Sequence, residues 1–244
     1  VREPGDYAGR ASASAYALAL ADLGARAAGR PLWAHLGGRQ RIAVYASGGL
    51  YADGKDDTSL AAEMARHVAD GFRRVKIKVG ALSLDADCRR IDAVRRAVGS
   101  GVSIVVDALS RHDRSSAAGA IARYAQAGAA AVQAPMPLDD IEGLAALAKM
   151  SPVPLWVGEA NGDPAIWRRL AAIAGPLVMQ INPGLNGGTA VSDLVGMLAG
   201  PATLQCHATA VLQAASLHLA GTAPSIADCE YHRFHRHLHE AMPE

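Results

Sequence analysis

The chain has 244 residues, half of them hydrophobic and only 19% charged, so it can fill a sizeable core and is not globally disordered. Its formal net charge is +1 with both signs interspersed, which excludes the basic footprint of a nucleic-acid binder. No apolar run reaches the ~18 residues of a membrane span, and the opening "VREPGDYAGR" has no signal-peptide pattern, so a cytoplasmic chain without a membrane or nucleic-acid partner is expected. Cys88, Cys206 and Cys229 are an odd number with no metal-type spacing, and reduced thiols are expected.

In chain order, "SASAYALALADLGARAAG" has a helical pattern ended by Gly29 and Pro31. Short β-type runs then alternate with Ala-rich amphipathic stretches. The β-type runs are "IAVYAS", "RVKIKV", "SIVVDA", "AAVQAP", "PLWVGE", "LVMQIN", "TLQCHA" and "IADCEY". Helical patterns such as "TSLAAEMARHVADGF", "DADCRRIDAVRRAVG" and "AVSDLVGMLAG" separate them. Strands alternating with helices point to a parallel sheet.

A polar residue stands near the end of each run: Ser47, Lys78, Asp107, Gln133, Glu159, Asn182, His207 and Glu230. Their spacings of 31, 29, 26, 26, 23, 25 and 23 describe one repeated βα unit. Units of that size fit a TIM-type (β/α) barrel, a fold of ~250 residues. The alternative is a doubly wound open sheet, which would more naturally show an early GxGxxG turn, and none is found. A single barrel domain is expected, with a leading helix and linker over 1–40, the barrel over 41–231 and a His-rich tail over 232–244.

The second run, "RRVKIKVG", carries the sharpest chemical signal. Val75, Ile77 and Val79 suit the helix-facing side of a barrel strand, so Lys76 and Lys78 must point inward, near the C-terminal mouth. Buried ammonium groups need partners. Asp107, Glu159 and Glu230, which end other strands, are the expected ones.

"PLWAHLGG", "YASGGLY", "GFRRVKIKVG", "VVDA", "VGEA", "GLNGG" and "HATAVLQAASLHLA" occur in an order that resembles the enolase superfamily, closest to its mandelate racemase/muconate-lactonizing group. The resemblance runs from about Ala11 to Tyr231. It implies a modified (β/α)7β barrel and removal of a proton α to the carboxylate of a small-molecule substrate, with Mg²⁺ assistance. It further implies that Lys78 is a base and that Lys76 stabilises the substrate carboxylate. Asp107 and Glu159 match two of three acidic Mg²⁺ ligands. His207 matches a base on the opposite face, and Glu230 a position that in some members hydrogen-bonds the developing enediolate.

The sequence departs from the pattern at named places. Gln133 stands at the third metal-ligand position, so weakened or lost Mg²⁺ binding is expected. Asn182 replaces the Asp that orients the His base; it can accept a bond from His207 but not balance an imidazolium. Leu109 stands where an Asn is common. The family also carries an N-terminal capping domain that the sequence lacks, either because it is a fragment or because the cap is absent.

Three function classes stay open: a Mg²⁺-assisted racemase or dehydratase of hydroxy or sugar acids, a non-catalytic barrel that has lost its metal, and a metal-independent acid–base enzyme using the lysines and His207. Ala-rich outer helices suggest a homo-oligomer. His232, His235, His237 and His239 are expected in a solvated tail. "GLNGG" reads as a tight turn, and "SRHDRSS" as a loop ending at a helix cap.

Overall fold

The alternating pattern closes on itself. The computed structural model describes residues 4–198, 200–207 and 209–234. In it a closed all-parallel barrel runs β1 Val44–Ser47, β2 Arg74–Lys78, β3 Ser103–Asp107, β4 Ala131–Gln133, β5 Leu155–Val157, β6 Leu177–Ile181, β7 Ala202–Leu204 and β8 Ile226–His232, with β8 paired to β1. Helices α1 Pro4–Ala27 and α2 Leu32–His35 precede the barrel. The connecting helices are α3 Asp57–Ala69, α4 Leu84–Val98, α5 Ala117–Gln126, α6 Ile141–Met150, α7 Pro164–Ala171, α8 Val191–Leu198 and α9 Ala210–Ala220. Among the described residues this is the expected (β/α)7β order, and no helix is long and apolar enough to cross a membrane.

Local chemistry starts the helices where the strands need them. Asp56, Ser83, Asp140, Asp163 and Thr209 each accept a backbone N–H from the first turn of α3, α4, α6, α7 and α9. Such caps satisfy donors that a helix start leaves orphaned. Pro164 opens α7, where its fixed φ is already helical.

Strand parity builds two packed regions. Val75, Ile77 and Val79 lie in the large core between strands and helices, with Leu60, Met64, Ile91, Ile104 and Trp167. The other parity fills the barrel interior in layers. At the N-terminal end Arg74 pairs with Asp228, and Thr203 Oγ1 donates to Asp228 Oδ1 at 2.6 Å. An apolar layer of Tyr45, Val105, Ala131 and Trp156 packs together, with Val178 against it. Above it sits a polar layer that contains Lys76. The barrel is therefore a filled core with its chemistry at one end.

Several strands stop short of the polar residues that mark the sequence period. β5 ends at Val157, two residues before Glu159, and β7 at Leu204, three before His207. Gly158 explains the first: its φ of +102° leaves the extended region. β8 runs on to His232, which is fully buried and so belongs to the barrel, not to a solvated tail. The strand's ladder to β1 continues that far, pairing Ser47 with His232. His235, His237 and His239 lie outside the described residues.

Gly158 also allows a close approach, since a Cβ there would lie 2.3 Å from the Trp167 ring. Strain at positive φ and overpacking add. Gly158→Ala is expected to cost roughly 2–4 kcal/mol, read as a lowered urea midpoint.

Candidate active site

Register brings the polar residues together. Lys78 is level with Asp107 across β2–β3, and Asp107 with Gln133 across β3–β4. Residues paired in a parallel ladder share a face, so all three point into the barrel. Lys76, two residues before Lys78, shares that face and is only 1% exposed, whereas the Lys78 side chain, nearer the mouth, is 13% exposed.

Lys76 Nζ lies 2.8 Å from Glu230 Oε1 and donates to Gln133 Oε1, also at 2.8 Å. Asp107 Oδ2 is 3.9 Å away, and the ammonium stands 5.6 Å from the centre of the Tyr45 ring. Lys78 makes its ion pair with Asp107. Glu230 is held from the other side, where its Oε2 accepts the backbone N–H of Cys206 at 3.0 Å. Of the three partners expected for the lysines, Glu230 and Asp107 make the ion pairs, while Glu159 reaches the cluster through Gln133.

Gln133 is the hub. Its Nε2 donates to Asp107 Oδ2 at 2.8 Å and also to Glu159 Oε2. Its Oε1 accepts from Lys76 and, at 2.9 Å, from Gln180 Nε2. Gln180 is fully buried, and its Nε2 also lies 3.4 Å from Tyr45 Oη. Gln180 and Tyr45 were not among the residues that sequence reasoning singled out. The signal was present, since Gln180 stands two residues before Asn182 in the run "LVMQIN" and so has the parity expected of an inward position.

The electrostatics follow from burial against pairing. Burial by itself pushes the Lys76 ammonium down, but the charges of Glu230, Asp107 and Glu159 outweigh it and leave Lys76 raised. Burial likewise pushes Glu230 up, and the Lys76 charge overturns that, so Glu230 stays ionised below its ordinary range. Glu159 goes the other way: burial, then the Asp107 charge, push it up to about 7 against the pull of Lys76 and Lys78. Two ammonium groups facing three carboxylates leave one acid to hold a proton most easily.

The opposite side of the mouth is arranged differently. His207 is exposed, with its ring centre 5.2 Å from that of Phe234. Asn182 Oδ1 accepts the backbone N–H of Gly184 at 2.9 Å, closing an Asx-type turn at the "GLNGG" segment. One lone pair of the Asn182 oxygen is thus taken by a local backbone bond. Leu109 sits at φ +53° and 39% exposed, and its N–H donates to Asp107 Oδ1 at 3.1 Å. A left-handed backbone there is one that Asn adopts more readily than Leu.

The donor set does not fit Mg²⁺. The ion takes oxygen ligands in near-octahedral geometry. Here two carboxylates converge, but the third group presents its N–H hydrogens to them. Among the described residues no group of three or more His, Cys, Asp or Glu side chains is placed to hold a metal.

Two expectations follow from this geometry. Lys76→Met strands Glu230 in the interior and should cost about 3–5 kcal/mol in urea unfolding, with the Lys76→Met/Glu230→Gln pair recovering at least half. For Glu159, the folded carboxyl titrates at about 7, above the unfolded value. Between an unfolded value of about 4.3 and that point the folded chain keeps a proton that the unfolded chain has lost. The stability from this group is full below that window and falls as pH rises through it, by up to about 1.4 kcal/mol per pH unit. Glu159→Gln should remove that fall, seen by comparing melting temperatures at pH values on either side.

The comparisons agree with the barrel fold. The profile of the enolase C-terminal domain-like family matches residues 59–244. The chain is 31% identical over 214 residues to D-galactarolactone cycloisomerase of Agrobacterium fabrum, a match over 86% of this chain and 54% of that protein. It is 28% identical over 226 residues to muconate cycloisomerase 1 of Rhodococcus opacus, covering 89% of this chain and 59% of the relative. A crystal structure of a racemase from Streptomyces coelicolor with bound magnesium superposes with a TM-score of 0.83 at 25% identity, over 96% of this chain and 64% of that one. Other matches are named as dehydratases and epimerases. The chain thus spans between half and two thirds of the length of these three relatives. With the family profile covering most of its residues and the barrel order unbroken, the chain belongs to the enolase superfamily, in its mandelate racemase/muconate-lactonizing group.

Proposed function

We propose that the chain is the barrel of an acid–base enzyme that removes or returns the proton α to the carboxylate of a small hydroxy acid or sugar acid, as a racemase or dehydratase does. The supporting observation is the division of labour between the two lysines. Lys76 is sealed in, with its ammonium committed to Glu230 and Gln133. Lys78 stands nearer the mouth and is paired with Asp107. A lysine acts as a base only after giving up a proton, which Lys78, at the mouth, can release to solvent, while Asp107 holds it in place. When Lys78 takes the α-proton, the C–H electron pair moves onto the substrate carboxylate. The new ammonium and the fixed charge of Lys76 then face the developing negative charge. Glu230 has both oxygens engaged, by Lys76 and by the Cys206 N–H, so its part is to fix Lys76. His207 is the candidate for protonation from the other face. The relatives' names, cycloisomerases and dehydratases, support this reaction class.

A second reading, a barrel that binds without catalysis, is favoured by one observation: the Gln133 amide closes the acid pair on itself. Solvent-deuterium exchange at the α-carbon, followed by NMR over a set of hydroxy and sugar acids, separates the two. At least one acid should exchange, in the presence of EDTA, and Lys78→Ala should slow it by about 10²–10⁴-fold. No exchange with any acid would overturn the catalytic reading and leave the binding one.

A further inference from the structure

We infer that Gln133, held by Lys76 and Gln180, takes over the bridging task of a divalent ion between Asp107 and Glu159, and that the free site does not bind Mg²⁺. The amide's orientation carries this inference. An ammonium is a donor without an acceptor, so Lys76 Nζ requires the Gln133 oxygen at 2.8 Å. Ionised carboxylates accept and do not donate, so Asp107 requires the nitrogen on its side, 2.8 Å away. Neighbours on both sides thus select the same rotamer. Gln180 adds a second donor to the oxygen at 2.9 Å. Turning the oxygen toward a metal would oppose the nitrogen to Lys76 and break these bonds in a fully buried place.

Charge gives an independent reason. Lys76 and Lys78 share the cluster with Asp107, Glu159 and Glu230. A divalent cation added to that free set would leave an excess of positive charge in the interior, which burial penalises. A carboxylate at position 133 would balance such an ion, whereas the neutral amide does not. The same substitution that removes the charge also supplies the two N–H donors that tie the acids together. Gln180 is then a positioning residue, acting through Gln133.

The test uses Mn²⁺ as the probe, titrated into the full chain and followed by its electron paramagnetic resonance, together with melting curves in Mg²⁺. The wild type should show no saturable Mn²⁺ site at millimolar metal and no Mg²⁺-dependent rise in melting temperature. Gln133→Glu should bind one Mn²⁺ per chain at least about tenfold more tightly and gain a Mg²⁺-dependent melting temperature. The side-chain NH2 signals of Gln133 give a readout that needs no variant: they should stay unmoved on adding Mg²⁺. Gln180→Leu should speed their exchange with solvent by at least about tenfold. One Mn²⁺ per wild-type chain, abolished by Asp107→Asn, or NH2 signals displaced by Mg²⁺, would overturn the inference. So would a folded Gln133→Glu chain that binds no better than the wild type. Because none of these readouts is activity, the outcome is independent of whether the proposed proton transfer occurs.

Discussion

The buried ammonium of Lys76 is the constraint to which the rest of the polar layer answers. Moving such a charge out of water costs several kcal/mol unless close opposite charge and hydrogen bonds replace the solvent. The barrel supplies both. Glu230 comes from β8 and Gln133 from β4, each 2.8 Å from Nζ, so the bonds tie together strands that are not neighbours. Backbone ladders close the ring of strands, and the lysine crosses its interior. Everything at the mouth is then set by what Lys76 leaves unsatisfied. Asp107 is left to Lys78, and Glu159 to the amide.

The layered interior separates stability from chemistry. Arg74 and Asp228 close one end, and the Tyr45–Val105–Ala131–Trp156 layer insulates that pair from the lysines above. Tyr45 belongs to both regions. Its ring packs edge-on to Trp156, with centroids 5.4 Å apart, while its hydroxyl is 3.4 Å from Gln180. Burial, then the charges of Glu230 and Asp228, push that hydroxyl well above its ordinary range, so it stays protonated between two acidic layers. A site resting on such a floor has little freedom to rearrange, because each polar atom in it is fixed by several neighbours.

Much of the fold was legible because barrel repeats leave a regular mark on the sequence. The spacing of strand-end polar residues gave the number of units, and period-2 alternation in "RVKIKV" gave the inward face of Lys76 and Lys78. Strand ends were less legible. Glu159 and His207 lie beyond their strands, and what stops β5 is a positive-φ glycine whose conformation no pattern of hydrophobicity reports. The site was legible as a set of residues but not as a set of bonds. The loss of an acid at Gln133 could be read from the letters. The side to which its amide nitrogen turns could not, since that depends on donors and acceptors arriving from β2, β3 and β6.

Composition, spacing and parity by themselves determined that the chain is a parallel barrel with two inward lysines and a row of acids at its C-terminal end. These properties are local or periodic, and each residue carries its share of them in its own chemistry. Which acid meets which lysine is decided only when the strands are in register, because the pairing joins residues from 29 to 154 positions apart. Tertiary packing placed Glu230 on Lys76, set Glu159 to titrate near neutrality, and turned an apparent missing ligand at position 133 into a bridge. The physical reason is that a buried charge or amide takes its state from all the groups around it, and those groups meet only in the closed barrel.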